Sequence, residues 1–306
     1  MLYPNPKMLL YIGMADAYAA AAEFVERHRF DVYDACLKFE GYVAHPTHGL
    51  LAGTYTDDTE MSVANARVLI DGRYPYGLLD FADAYVAEFA YGGRRKGYAR
   101  GFQAFLEQVK SGNQFLAMIR PHSDKNGAAM RAVPFGALPE VWQVLHAATL
   151  NAMLTHDTPA GLFSSRAVSL MSHYALYEPG PLDKLEEYCL HNLPVADARE
   201  FGHVFASRRP DGPVEWHGTK SVAVDTVHSV VELLRREKTL MGMLRQTIEW
   251  GGDTDSIAAI AWGIASARLQ HESLPGFLSR DLEGGDPRTG APYLEKAGAD
   301  LMAAFA

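Results

Sequence analysis

The strongest constraint on this chain is a pair of acidic segments, each placed where an apolar helix is predicted to begin. Residues 56–61 read TDDTEM and open a segment with helical apolar spacing, and residues 251–256 read GGDTDS and lead into the apolar run at 257–261. Threonine and aspartate are common helix caps, but capping uses one acceptor and leaves the second carboxylate of each segment unexplained. We therefore expect the two helix starts to meet in space and to hold divalent cations.

The residue types in these segments indicate which metal would bind. They supply four carboxylates, from Asp57, Asp58, Asp253 and Asp255, beside hydroxyl groups and without Cys or His. Hard cations prefer oxygen ligands, so Mg²⁺ or Mn²⁺ is expected rather than Zn²⁺. One cation would not balance four clustered acids, which favours a two-metal site about 3.5 to 4 Å across.

Residues 253–256 also resemble the Asp-x-Asp-x-Thr motif of aspartyl-phosphate enzymes, but that motif ends a strand and this one follows a predicted helix.

Helical patterns cover most of the chain, and no alternating strand pattern of convincing length is present. Strong helix formers run from residue 8 to residue 28, and helical spacing recurs at 78–90, 101–110, 138–155, 161–177, 222–236 and 240–250. Residues 177–218 contain five prolines and are interpreted as an irregular insertion. No repeat of fixed period and no linker divides the 306 residues, so a single domain is predicted.

Composition limits the class of partner and the compartment. The formal net charge of -9 and the pI near 5.7 argue against binding to a nucleic-acid backbone. Cys36 and Cys189 are too few for a disulfide framework, which favours a cytoplasmic location. The apolar run near the N-terminus is interrupted by Asp16 and is too short to span a membrane, so we interpret it as a buried helix rather than a signal peptide.

Some polar residues outside the acidic segments have two interpretations. Asp16 and Glu23 are seven positions apart, so a continuous helix would put both on one face, directed either at water or into a polar site. The basic residues 94–96 favour a solvated loop over contact with an anionic substrate. The turn at residues 126–127 could present backbone N–H groups to an anion. His156 stands at a predicted helix junction, where it could contact a ligand or serve as a capping or packing group.

Together these motifs resemble those of the ADP-ribosylglycohydrolases, a family that includes the dinitrogenase reductase-activating glycohydrolases and the ADP-ribosylarginine hydrolases. Residues 56–61 resemble the first metal motif of the family and residues 251–261 its last. Asp16 with Glu23 resembles the N-terminal motif, and residues 126–131 resemble the segment that contacts ADP-ribose. The resemblance implies an all-α fold: a compact single-domain orthogonal helical bundle, over residues 1–306, around a central dinuclear metal site of Mg²⁺ or Mn²⁺.

The resemblance also implies roles for individual residues. The metal ligands would be Thr56, Asp57, Asp58, Asp253, Asp255 and Ser256. The catalytic residues would be Glu23, on a mobile loop beside the metals, together with Asp57, Asp58 and Asp255. Substrate contacts would come from Gly97, Tyr98, Asn126, Gly127 and His156. Ala15 and Ala19 stand where the family usually has glycine, and alanine disfavours positive backbone angles, so a shorter or more helical loop is expected before Glu23.

The implied activity is metal-dependent hydrolysis of the N- or O-glycosidic bond between ADP-ribose and an acceptor. Such a reaction passes through an oxocarbenium-like species, so a catalyst gains by orienting the ribose and by placing a water and a proton acceptor. The expected partner is an ADP-ribosylated protein or an ADP-ribose-containing small molecule, with no membrane partner. The alternative is a non-catalytic member that binds ADP-ribose or serves structurally. The intact metal motifs favour the hydrolase, whereas the altered segment before Glu23 favours the alternative.

Overall fold

The protein is built from α-helices, as the spacing of its apolar residues predicted. A computed structural model describes residues 1–72, 74–208, 212 and 223–306. This part of the chain contains no β-strand, and His122 and His156 form an isolated β-bridge. The helices are α1 (Met8–Ala19), α2 (Phe30–Cys36), α3 (Asp57–Asp71), α4 (Leu78–Tyr91), α5 (Arg100–Gln108), α6 (Gly112–Met118), α7 (Gly127–Met130), α8 (Val141–Met153), α9 (Pro159–Tyr177), α10 (Leu185–Asn192), α11 (Val195–Phe201), α12 (His203–Ala206), α13 (Ala223–Arg236), α14 (Leu240–Trp250), α15 (Thr254–Leu269), α16 (Phe277–Arg280) and α17 (Ala291–Ala304).

Helices α1 and α15 form the centre of the fold. Every residue of α1 is buried, and α15 is buried from Thr254 to Ala267. A helix that is apolar on all sides is stable only inside the protein. Gly263 on α15 permits the close approach of the two helices, because a Cβ there would lie 2.7 Å from the Ile12 side chain. Helices α3 and α17 pack against α1, and α9 and α13 pack against α15.

The C-terminal half of α1 contacts both acidic segments. The carboxylate of Asp16 accepts hydrogen bonds from the start of α3, where Thr56 is the N-cap. The carbonyl oxygen of Ala19 accepts a hydrogen bond from the hydroxyl of Thr254, at 2.7 Å, where α15 begins. Packing on α1 therefore brings together two helix starts that are separated by most of the sequence, as expected.

The prediction of one continuous helix over residues 8–28 is wrong. Helix α1 ends at Ala19, a 3-10 turn covers Ala20–Ala22, and Glu23 is non-helical with a ψ of 118°. Phe24 then has a φ of 49°, and its N–H donates to the carbonyl oxygen of Gly252 at 2.7 Å. The helix ends because this long-range hydrogen bond ties residues 23–24 to the second acidic segment.

The segment interpreted as an irregular insertion is more regular than predicted. Helices α10, α11 and α12 lie within residues 185–206, and Pro194 directly precedes α11, where a proline is well tolerated. Residues 209–211 and 213–218 of that segment, and Val222 of the predicted helix at 222–236, lie outside the described residues. The single-domain expectation stays a prediction.

Two observations concern the predicted compartment. Cys36 and Cys189 are buried free thiols. Among the helices that the structure describes, none is long and apolar enough to cross a membrane. The cytoplasmic location itself stays a prediction.

Candidate metal centre and substrate cavity

Asp16 fixes the start of α3. Its buried carboxylate accepts hydrogen bonds from the backbone N–H groups of Thr56, at 3.0 Å, and Thr59, at 3.1 Å. It also accepts from both threonine hydroxyls, at 2.9 and 2.5 Å. The first N–H groups of a helix have no partner inside the helix, so Asp16 caps α3 together with the Thr56 hydroxyl, which accepts from the N–H of Asp58. The carboxylates of Asp57 and Asp58 are therefore not needed as caps, which removes the structural explanation for them.

Two glycines place the second acidic segment. Gly251 ends α14 with a φ of 70°, and Gly252 follows with a φ of 80°, both in the left-handed region that favours glycine. Asp253 comes next as the N-cap residue of α15, but its side chain makes no capping hydrogen bond. Instead it accepts a hydrogen bond from the side-chain amide of Asn126 at 3.1 Å. Its carboxylate is thus directed into the space between the helix starts.

Acidic side chains from the starts of α3 and α15 lie close to Glu23, which follows the 3-10 turn at Ala20–Ala22. One carboxylate oxygen each from Glu23, Asp253 and Asp255 lies within 4.8 Å of the others, close enough to share one metal ion. Asp57 and Asp58 line the same cavity as these three residues. Burial first, and then the charges of neighbouring acids, raise the pKa of Asp57, Asp58 and Asp255 well above the ordinary value. Like charges packed in this way repel unless protons or cations neutralise them.

The donor set fits a hard divalent cation. The clustered groups are carboxylates, with the hydroxyl of Ser256 also lining the cavity. Of the acids that line the cavity, Glu23 forms an ion pair with His48. The four aspartates form no ion pair with a basic side chain among the described residues. The Oδ1 atom of Asp58 is buried without a hydrogen-bond partner in that part of the chain. Such an atom is costly to bury, and a bound cation would satisfy it.

Glu23 is held in place by two histidines. Its side chain is 18% exposed and lines the cavity, and its Oε2 lies 3.3 Å from Nδ1 of His48. The backbone oxygen of Glu23 lies 2.8 Å from Nε2 of His45, whose ring stacks on that of His48 with centroids 3.6 Å apart. Ala15 and Ala19 are both helical, in line with the expected effect of losing glycine there. Glu23 nevertheless reaches the cavity, because the chain leaves the helix after Ala22.

A cavity of about 1140 Å³ lies beside the acids, and three of the predicted substrate residues line it. Its volume is slightly above the usual range for small-molecule sites, which ends at about 1,000 Å³. Gly97 has a φ of 121°, and a Cβ there would lie 3.1 Å from Cβ of Thr56, so both the backbone angle and the contact favour glycine. Tyr98 and Asn126 complete this group of lining residues.

Gly127, His156 and Thr56 are not among the lining residues of this cavity. A Cβ on Gly127 would lie 2.7 Å from Cε1 of His156, so the glycine allows the ring to pack against α7. Nδ1 of His156 lies 2.7 Å from the hydroxyl of Thr155. Burial first, and then the charge of Arg131, lower the pKa of His156 to about 3, so the ring is neutral at physiological pH. Direct roles of these residues in binding substrate or metal stay predictions.

The structure adds residues that the sequence did not assign to the site. Asp16 was noted as part of a motif, but its function as the cap of α3 depends on tertiary packing. His48 lines the cavity, and the histidine-rich loop that contains it was the signal that could have found it. Lys96, Arg100 and Lys125 add basic side chains to the lining, and no local pattern distinguished them from solvated residues.

The prediction of a solvated basic loop at residues 94–96 is wrong for Arg95. Arg94 is exposed, but the side chain of Arg95 is only 5% exposed and pairs with Glu60 and Glu283. These two acids come from distant parts of the sequence, so their proximity to Arg95 is not visible in the local pattern.

Comparison with known proteins gives the family and the fold of the chain. A family model described as ADP-ribosylglycohydrolase matches residues 9–305. An ADP-ribosylhydrolase ARH3 of Xenopus tropicalis is 27% identical over 276 residues, covering 76% of this chain and 78% of that protein. An ADP-ribosyl-dinitrogen reductase glycohydrolase of Rhodospirillum rubrum is 28% identical over 249 residues, covering 76% and 74%. A solved structure described as an ADP-ribosylglycohydrolase-related protein complex has the same fold, with a TM-score of 0.71, 20% identity, and coverage of 98% and 97%.

Proposed function

Because the chain belongs to the ADP-ribosylglycohydrolase family, we propose that it hydrolyses the glycosidic bond between ADP-ribose and an acceptor. The acceptor would be a protein side chain or a small molecule. The observation that carries the proposal is the group of acids from three separate segments that line one cavity. The names of the relatives from Xenopus tropicalis and Rhodospirillum rubrum describe hydrolases of this class.

We infer that the site holds two divalent cations, Mg²⁺ or Mn²⁺. The oxygen-only donor set and the unpartnered Oδ1 of Asp58 support a hard cation. The number of acids supports two ions, since a single one would leave much of their charge unbalanced. When bound, the ions would orient ribose hydroxyls and a water molecule. The proposed ligands are Thr56, Asp57, Asp58, Asp253, Asp255 and Ser256.

Glu23 is the proposed proton acceptor for the attacking water. A general base has to lie within hydrogen-bond reach of the proton that it takes, and its effect depends on a fixed position. The contact of its Oε2 with His48 limits the movement of this carboxylate inside the cavity. The position of Glu23 also weighs against the non-catalytic alternative, which depended on the replacement of glycine by Ala15 and Ala19.

The other lining residues would bind and orient the substrate. Tyr98 and Asn126 offer polar groups beside the acids, and Gly97 offers a surface without a side chain. Lys96 and Lys125 would offset the negative charge of the diphosphate. Binding of ADP-ribose in this way would hold the anomeric carbon near Glu23 and so reduce the entropic part of the barrier.

Release of ADP-ribose from a substrate panel tests the proposal. The protein would be stripped with EDTA, supplied with Mg²⁺ or Mn²⁺, and incubated with ADP-ribosylated arginine, ADP-ribosylated serine and small-molecule conjugates. We expect cation-dependent release that Asp57→Asn abolishes. Asp197→Asn is the matched control, because Asp197 is buried in an ion pair with Arg166, at 2.8 Å, and does not line the cavity. Tight ADP-ribose binding without release from any substrate would reject the hydrolase and identify a binding protein.

The role of Glu23 is tested separately. Glu23→Gln should slow release from a cleaved substrate far more than it weakens ADP-ribose binding, since the amide keeps the shape of the side chain but cannot accept the proton. Binding would be measured by calorimetry. Weakened binding with an unchanged rate would remove Glu23 from the catalytic group.

A further inference from the structure

A buried ionic cluster lies between the cavity wall and the start of α3. It consists of Tyr55, Glu60, Arg95, Tyr98 and Glu283, which come from three separate parts of the chain. The side chains of Glu60 and Arg95 are 1% and 5% exposed, and that of Glu283 is 12% exposed. Charged groups are buried at low cost only when they are paired and hydrogen-bonded, so the contacts within the cluster are specific.

Arg95 holds the backbone immediately before the first metal motif. Its Nη1 donates to the carbonyl oxygen of Tyr55 at 3.1 Å and to Oε1 of Glu283 at 2.8 Å. The same Glu283 oxygen accepts a hydrogen bond from the N–H of Tyr55 at 3.0 Å. The guanidinium also lies 3.9 Å from the centre of the Tyr55 ring. Both backbone polar groups of Tyr55 are therefore fixed, and Thr56 follows directly.

The same arginine is linked to the cavity wall through Glu60. One carboxylate oxygen of Glu60 accepts a hydrogen bond from Nε of Arg95, and the other accepts from the hydroxyl of Tyr98 at 2.9 Å. Tyr98 and Gly97 line the cavity. Gly97 is also packed against Thr56. The cluster thus connects the helix start that carries Asp57 and Asp58 to the wall that faces them.

We propose that Arg95 is a positioning residue that sets the distance between the acids at the start of α3 and the wall formed by Gly97 and Tyr98. The assignment of those acids and that wall rests on the proposed function. A buried ion pair contributes little net stability, because desolvation offsets much of the attraction. The Arg95 cluster fixes the relative positions of its members instead, because the planar guanidinium donates in fixed directions to Tyr55, Glu60 and Glu283 at once. Lysine cannot reproduce this geometry.

Two substitutions of Arg95 test the inference. Arg95→Met removes the charge and the donors, and Arg95→Lys keeps the charge without the planar fork. Displacement of a site by about 1 Å costs roughly 100-fold in rate, so we expect Arg95→Met to lower kcat by about that factor. Loss of groups that orient metal ligands typically weakens metal binding about 10- to 100-fold, so Mn²⁺ affinity, measured by electron paramagnetic resonance titration, should fall in that range. Arg95→Lys should recover part of both losses.

Arg67, which lies on α3, provides the control. Arg67 pairs with buried Glu88 at 2.9 Å, donates to the hydroxyl of Tyr293 at 2.8 Å and lies 5.5 Å from the centre of its ring. Like the Arg95 cluster, this arrangement joins an arginine to a buried glutamate and a tyrosine, but the Arg67 side chain is 43% exposed and does not line the cavity. Arg67→Met and Arg95→Met should both lower the melting temperature, because each leaves a buried glutamate without its partner. Arg67→Met should leave kcat and Mn²⁺ affinity unchanged.

The outcomes separate this inference from the proposed function. If the wild-type protein releases ADP-ribose and Arg95→Met loses no more activity or Mn²⁺ affinity than Arg67→Met, the positioning role is overturned. If the wild-type protein cleaves nothing, the proposed function fails, and the Mn²⁺ affinities of the variants still decide the role of Arg95. If Arg95→Met does not fold, Arg95→Lys and Glu283→Gln replace it, and unchanged Mn²⁺ affinity and kcat in both would overturn the inference.

Discussion

Asp255→Asn should raise the stability of the metal-free protein and lower that of the Mn²⁺-loaded protein. Asp255 is 3% exposed, and its pKa is raised well above the ordinary value by burial and then by the charges of Glu23, Asp58 and Asp253. A neutral amide of the same shape relieves this repulsion and the cost of burying the charge. It also removes a proposed metal ligand. Residues arranged for function often reduce stability in this way.

The expected shifts can be worked from the size of the chain. Unfolding entropy of about 2.1 cal/mol/K per residue gives roughly 0.64 kcal/mol/K for 306 residues. A single stabilising substitution commonly adds about 0.5–2 kcal/mol, which corresponds to roughly 1–3 °C in EDTA. Mn²⁺ at 100 times its Kd stabilises the wild-type protein by about 2.7 kcal/mol per ion, which raises the melting temperature by roughly 4 °C. Asp255→Asn should lose this Mn²⁺-dependent rise in melting temperature.

Differential scanning calorimetry in EDTA and in excess Mn²⁺ measures both shifts. Asp197→Asn is the control, because it breaks the 2.8 Å ion pair with Arg166 outside the cavity. It should lower the melting temperature equally in the two conditions and keep the full Mn²⁺ increment. The reasoning is refuted if Asp255→Asn lowers the melting temperature in EDTA, or if it retains the wild-type increment in Mn²⁺.

One further prediction concerns the cavity, and two concern the packing of His156 against α7. His48→Phe removes the contact with Glu23 and should lower kcat roughly 10-fold or more with little change in KM, as measured by initial rates of ADP-ribose release. Folding lowers the pKa of His156 from 6.5 to about 3. Between these pH values the unfolded state binds a proton that the folded state does not, so the free energy of unfolding falls as the pH decreases. His156→Gln should make this pH dependence weaker, as measured by urea titrations at several pH values. Gly127→Ala puts a Cβ 2.7 Å from His156 and should cost about 1–3 kcal/mol in the same titrations.

The helices were largely predictable, because their signals are local. The bounds of α14 at Leu240–Trp250 agree with the apolar spacing, and α3 starts after Thr56, as the capping residues indicated. The chemistry of the proposed metal site was also readable, since carboxylates and hydroxyls at two helix starts imply oxygen ligands wherever the helices lie. The irregular end of α1 was missed, because a run of alanines favours a helix and the hydrogen bond from Phe24 to Gly252 is not a local feature.

By itself, the sequence determined which residue types stand at the two helix starts and that apolar helices carry them. Only the tertiary structure decided which acids line the cavity and which one caps α3. Asp16 became the cap of α3 and left Asp57 and Asp58 directed at the cavity, while Arg95 entered a buried cluster instead of solvent. His156 lies beside Gly127, outside the cavity lining. The reason is physical: the partner that caps, pairs with or covers a polar group comes from a distant segment, and its position depends on how the helices pack around α1.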